Sequence, residues 1–267
     1  MATSAPYLIR HAVPKPGCVR DAALALAFAA ALLWGLSLCS WSFAAEGAAA
    51  QGDAAAEDSV ARASDGAEKE APKPATPIRL LGTVEFRSPI KNLPKWERVR
   101  SSEKKRPSFT EKGLDTKSAK VRERWDKLKN SLAGAPLKDQ VQKINNFFNQ
   151  WPYKFDKEVW GVEDYWATPR EFVERSGDCE DYAISKYYAL RDLGVPASQL
   201  RVAAVKDVIR NLGHAVLIVY MENDAYVLDN LTNLVLSHKK LKHYAPQYSV
   251  NEEYLWRHVK PKSAPGK

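Results

Sequence analysis

From Ile78 onward the apolar positions fall first into helical and then into strand periods. Over residues 116–132, Val121, Trp125, Leu128 and Leu132 recur at helical spacing. Pro136 opens a second helical stretch with Leu137, Val141, Ile144 and Phe148 on one face. Both stripes read as core packing rather than ligand contact. Trp151-Pro152-Tyr153 ends the second stretch, and an irregular aromatic segment runs on to Trp166. Thr168-Pro169-Arg170-Glu171 is a helix start: Thr168 caps, Pro169 suits the first turn, and Glu171 closes a capping box. That short helix reaches Arg175 and breaks at Ser176-Gly177. A longer helix opens at Asp178 and closes at Gly194, with Pro196 beyond it.

The period then changes. Residues 200–205, 215–221 and 225–228 read as strands, the last two joined by a hairpin turn at Glu222-Asn223-Asp224. Helices followed by antiparallel strands predict an α+β domain, and no internal repeat is present.

The first 77 residues are of another kind. Arg10, Lys15 and Arg20 precede an uncharged apolar run over residues 22–45, and small residues follow at Ser42 and Ala44. This reads as a secretory signal cut after Ala44, or alternatively as an uncleaved membrane anchor. Residues 46–77 hold almost no large apolar side chains and read as a disordered linker, unable to bury enough surface to offset its ordering entropy. The expected organisation is therefore signal or anchor 1–45, linker 46–77 and one folded domain 78–267. The domain opens with a short strand or extended arm over residues 78–86.

Composition refines this picture in two ways. The formal net charge of +8 is concentrated in residues 91–129. No nucleic-acid-binding motif accompanies it, so the run reads as a solvated face and nucleic acid is not an expected partner. Of the three cysteines, Cys18 and Cys39 lie in or before the apolar segment, and the mature chain is expected to retain Cys179. That leaves no disulfide framework and no multi-cysteine zinc site.

Cys179 sits at the predicted helix start in Asp178-Cys179-Glu180-Asp181. Unpaired backbone N–H groups and the positive end of the helix dipole both favour the thiolate there. The same N–H groups suit an oxyanion. The three neighbouring carboxylates oppose a further negative charge, and a nearby imidazolium or a bound cation would answer them. His214 begins one strand and Asp229 ends the next, an order that suits a nucleophile, a base and an orienting carboxylate. A tight turn at Asn223 sets Asp229 opposite residue 217 or 218, about three residues or 10 Å along the strand from His214. Spacing alone leaves two readings open: a catalytic triad, or a core histidine with a strand-ending aspartate.

Asp164-Tyr-Trp-Ala-Thr-Pro-Arg-Glu-Phe and Gly177-Asp-Cys-Glu-Asp-Tyr-Ala-Ile-Ser-Lys-Tyr resemble the bacterial transglutaminase-like cysteine proteinases, which include the LapG-type periplasmic proteases. Gly194-Val-Pro, Leu200-Arg-Val, Gly213-His-Ala-Val-Leu and Val227-Leu-Asp-Asn continue the resemblance in order across residues 80–257. It implies a papain/transglutaminase-like core and a periplasmic endopeptidase with Cys179 as nucleophile, His214 as general base and acid, and Asp229 as orienting carboxylate. It also implies calcium held by Asp178, Glu180 and Asp181, where the residues alone allow simple helix capping. LapG-type members release large surface adhesins by cutting near their N-termini at a pair of alanines, under an inner-membrane receptor for cyclic di-GMP. Ala215 departs from the pattern, since many relatives place Met after the histidine. Two other functions remain compatible with the sequence: an acyl transferase of the same chemistry, and a non-catalytic binding module of the same fold.

Overall fold

A computed structural model describes residues 78–261. The expected signal or anchor, the linker and the last six residues of the expected domain lie outside the described residues.

Strand β1 (Val84–Pro89) is followed by helix α1 (Pro94–Lys105) and a small hairpin of β2 (Phe109–Thr110) and β3 (Gly113–Leu114). Helices α2 (Ala119–Leu132), α3 (Leu137–Phe148), α4 (Asp156–Trp160), α5 (Pro169–Arg175) and α6 (Cys179–Asp192) come next. Then follow β4 (Leu200–Asp207), β5 (Leu212–Met221), β6 (Asp224–Leu228), β7 (Leu236–Ser237), β8 (Tyr244–Val250) and β9 (Tyr254–Val259). The large sheet has seven strands in the order β1-β9-β8-β4-β5-β6-β7, every pair antiparallel. This is an α+β fold, as the order of periods predicts.

Strand alternation gives the sheet two apolar faces. Val202, Leu217, Val219, Leu228 and Val250 join the helices in the main core. Ala203, Val205, Val216, Ile218 and Val227 pack on the other side with Leu80 and Tyr244. Helix α6 packs on β5 and β4 and is buried almost all round, from Cys179 to Leu190. The helical stripes behave as expected: Trp125 and Leu132 of α2, and Val141, Ile144 and Phe148 of α3, are all buried.

Three elements depart from the sequence reading. The basic segment contains α1, which is not merely a solvated face, since it buries Trp96 and Val99. Trp96 Nε1 donates to the Asn251 carbonyl at 2.8 Å and so ties α1 to the β8–β9 turn. Two apolar anchors among so many charges make too thin a stripe for periodicity to register. The C-terminal region, read as polar, supplies β8 and β9. Its histidines hold the fold: His258 is bonded by Thr83 at one ring nitrogen and by Ser249 at the other, and His238 Nδ1 accepts the Leu81 N–H. The β5–β6 turn is tighter than expected, with Glu222 and Asn223 both at positive φ (52° and 59°). Such a two-residue turn matches the twist of its strands and pairs Leu217 with Leu228.

Trp96 has no exposed surface. Trp96→Ala is expected to lower unfolding free energy by about 3–5 kcal/mol, read by urea denaturation. A loss below about 1 kcal/mol would mean that α1 is not part of the core.

Candidate active site

The site begins at the break between α5 and α6. Ser176 adopts φ 68°, ψ −177°, a region natural to glycine and costly to any other residue. The turn brings Gly177 against Asp181 so closely that a Cβ at Gly177 would lie 1.9 Å from Asp181 Oδ2. Asp181 reaches back to accept the Asp178 N–H at 3.3 Å, and its other oxygen accepts the Ala167 N–H at 2.6 Å. This is a capping box with Asp in the third helical position, and it fixes where Cys179 enters the helix. Residue 153 bridges to Gly177, and Lys154 N–H donates to the Gly177 carbonyl at 2.9 Å. These contacts bring α4 alongside the start of α6.

Cys179 is the first residue of α6 and 1% exposed, with its Sγ 3.2 Å from Glu180 Oε2. Around it the carboxylates are denser than the sequence reading held. Oxygens from Asp156, Asp178 and Asp181 lie within 4.8 Å of one another, and so do those from Asp156, Asp164 and Glu180. Asp156, on α4, and Asp164, on the segment after it, were not among the expected site residues. Both sit in the aromatic stretch without a regular period, where no spacing rule applies. Only the place of Asp164 at the head of the first family-like block marked it.

Burial pushes these acids up. Asp178 rises to about 7, chiefly by desolvation, with Asp156 and Asp164 adding repulsion and a hydrogen bond to Glu180 opposing it. Asp156 rises to about 6, again mainly through desolvation, which the Tyr165 N–H partly offsets. Desolvation and the Asp178 charge carry Glu180 and Asp181 well above the ordinary carboxylate value. The nearby cation is Lys95, paired with Asp164. Asp156 Oδ1, Asp164 Oδ1 and Asp178 Oδ1 are buried and find no hydrogen-bond partner among the described residues. Converging hard oxygens with unused lone pairs are the donor set of a calcium-sized cation.

The second half of the site lies on the sheet. His214 Nε2 and Asp229 Oδ1 are 2.9 Å apart, both side chains buried. The register explains the meeting. With Leu217 opposite Leu228, Asp229 leaves the ladder one residue nearer His214 than a turn centred on Asn223 would place it. Tyr244 OH donates to Asp229 Oδ2 at 2.6 Å, Leu231 N–H to Oδ1 at 3.0 Å, and Asn149 Nδ2 to the Asp229 carbonyl at 2.9 Å. Burial works against the charge on Asp229, yet His214, Tyr244 and Leu231 together hold it well below the usual carboxylate range. Tyr244 and Asn149 escaped the sequence reading because they meet Asp229 only through the fold.

The structure thus joins His214 to Asp229 and places Cys179 at the helix start, with its Sγ against Glu180. His214 shares its face of β5 with Val216 and Ile218, and its Nε2 is committed to Asp229.

A family profile described as bacterial transglutaminase-like cysteine proteinase matches residues 114–264. Among solved structures the chain is similar to calcium-bound LapG of Legionella pneumophila, with 36% identity over 60% of this chain and 87% of that one, and a TM-score of 0.49. It is also similar to EGTA-treated LapG of the same organism, with 34% identity over 64% of this chain and 87% of that one, and a TM-score of 0.48. No curated protein matches the chain.

Gly177→Ala is expected to displace Asp181 and cost about 1–3 kcal/mol. Ser176→Gly should instead relieve backbone strain and gain about 1 kcal/mol. Thermal unfolding of the two variants in parallel checks the pair, and equal effects would contradict the geometry. The acids also set a pH dependence. The folded values of Asp178 and Asp156, about 7 and about 6, lie above the ordinary 3.8. Their stabilising protons are fully bound below that ordinary value and are lost as pH rises through the folded values. In chelator, Tm should therefore fall between pH 5 and 7.5, and a rising Tm over that window would refute the buried-acid account.

Proposed function

Because this chain belongs to the bacterial transglutaminase-like cysteine proteinases of the LapG type, we propose that it is a periplasmic, calcium-binding endopeptidase using Cys179, His214 and Asp229. Membership makes it a cysteine peptidase. The observation that carries the triad is the 2.9 Å bond from His214 Nε2 to a buried Asp229 whose charge is secured by Tyr244 and Leu231.

In this reading the Cys179 thiol exchanges Glu180 for His214 Nδ1 and loses its proton to it. The thiolate attacks a peptide carbonyl carbon, and the first N–H groups of α6 receive the developing oxyanion. The tetrahedral centre collapses as the C–N bond breaks, and His214 gives its proton to the leaving amine. A thioester remains. Water, deprotonated by His214, adds to it and releases the carboxylate product, and the proton returns to the thiol. Asp229 holds one tautomer of His214 throughout and balances the imidazolium.

Asp178, Glu180 and Asp181, joined by Asp156 and Asp164, are the residues that would hold calcium. The buried oxygens of Asp156, Asp164 and Asp178 that find no partner among the described residues support the fit. When bound, the ion would supply the positive charge that these acids lack beside a thiolate. Asp181 has the weaker claim, since both its oxygens already accept backbone N–H groups. Export rests on the positive flank and apolar run at the N-terminus. A surface adhesin with an alanine pair as substrate, and an inner-membrane cyclic-di-GMP receptor as partner, rest on the family resemblance.

Cys179→Ala should abolish cleavage of a polypeptide carrying an alanine pair and leave Tm within a degree or two. Cleavage persisting in that variant would end the assignment. Calcium at about 100 times its Kd should add about 2.7 kcal/mol of stability at pH 7.5, and Asp156→Asn and Asp178→Asn should each weaken that gain. A Tm indifferent to both calcium and EGTA would remove the metal from the account.

A further inference from the structure

Helix α1 reaches the acid cluster from outside the segment that carries the family signature, which begins at residue 114. Its inner face is anchored by Trp96 and Val99, neither with any exposed surface, and by the Trp96 bond to the Asn251 carbonyl. Lys95 and Arg98, three residues apart and so neighbours on one side of the helix, grip the segment from Asp164 to Glu171. Lys95 Nζ pairs with Asp164 Oδ2. Arg98 donates to the Trp166 carbonyl and to both oxygens of Glu171, and its guanidinium lies 4.2 Å from the centre of the Tyr165 ring.

Asp164 faces two ways. Its Oδ2 meets the Lys95 ammonium, while its Oδ1 is buried without a hydrogen-bond partner among the described residues. One oxygen of Asp164 groups with one each from Asp156 and Glu180, all within 4.8 Å of one another. The Lys95 side chain is 43% exposed and that of Asp164 20%. A pair so open to water contributes little to folding by itself. Its weight lies in its position, since a tethered positive charge stands against a carboxylate that would also receive a divalent cation.

We propose that Lys95 is a resident counter-charge of the acid cluster, which holds Asp164 when no divalent cation is bound and sets calcium affinity below what the acids alone would give. The inference rests on the calcium reading given above. An ammonium and a calcium ion that share Asp164 repel one another, and the ammonium already offsets part of the negative charge that attracts the ion. Because Lys95 is partly open to solvent, salt screens this repulsion. The direction of the effect separates this role from two plainer ones. Loss of a simple surface ion pair would leave calcium binding as it was, and loss of a residue that only positions Asp164 would weaken it.

The test measures the calcium Kd of the full chain by isothermal titration at low salt, with Tm read on each variant in EGTA. Lys95→Met should bind calcium about 3- to 10-fold more tightly than the parent, and the gap should narrow in about 0.5 M salt. Lys95→Gln should match it, and serves alone if the methionine variant does not fold. Lys95→Arg keeps the charge and should stay within about 2-fold of the parent. A Kd that is unchanged or weaker in the uncharged variants overturns the proposal, and so does a gain that Lys95→Arg shares in full. Asp156→Asn separates the two levels. If it weakens calcium binding while Lys95→Met leaves the Kd unchanged, the lysine proposal alone falls. If the parent takes up no calcium, the calcium reading falls and takes this one with it.

Discussion

Negative charge crowded into a dry helix start is the constraint on which the rest of this molecule turns. Asp156, Asp178, Glu180 and Asp181 are almost wholly buried, and Asp164 stands beside them. Together they cannot all ionise against the desolvation each has paid, so they must hold protons or face a cation. The local fold serves this arrangement at some cost. Ser176 accepts a glycine-like backbone, and Gly177 gives up any side chain so that Asp181 can close on the turn. The α4 segment is drawn in by the bridge at Gly177. Such strain persists where the surroundings over-determine it, and it concentrates at functional sites.

The sheet half of the site settles its charge in the opposite way. Asp229 is as deeply buried as the helix-start acids, yet it is held ionised because every oxygen is met. Tyr244 and Leu231 donate to its side chain, His214 shares an oxygen with Leu231, and Asn149 fixes the backbone carbonyl behind it. The difference between the two halves is one of partners, not of depth. An acid with converging donors is depressed, and an acid among other acids is raised.

What could be read from the sequence follows from the same distinction. Helices α2, α3, α5 and α6, the cap at Thr168 and the strands of the β5–β6 hairpin are legible because their signals are local. Cys179, His214 and Asp229 were named from order and resemblance, but their geometry depended on whether the turn fell at Asn223 or at Glu222-Asn223, a difference of one residue in register. The second arrangement holds. Helix α1 was missed because Trp96 and Val99 are too few to draw a stripe through a basic run. Asp156, Asp164, Tyr244 and Asn149 come from segments far apart in the chain, and nothing near them in sequence marks the partner each meets.

Glu180 is where the two halves of the site come into conflict, and where their coupling can be argued. Its carboxylate stands 3.2 Å from the Cys179 sulfur while also belonging to the acid cluster. A thiol donating to a carboxylate is held as a thiol, because ionisation would set two negative charges in contact. In the proposed mechanism, activation has Glu180 turn from the thiol toward a positive charge, which would leave the sulfur to His214. On this argument a cation among the acids would act on the chemistry without touching substrate. It would remove the competing acceptor and lower the repulsion a thiolate faces, while the proposed base, His214, is already joined to Asp229.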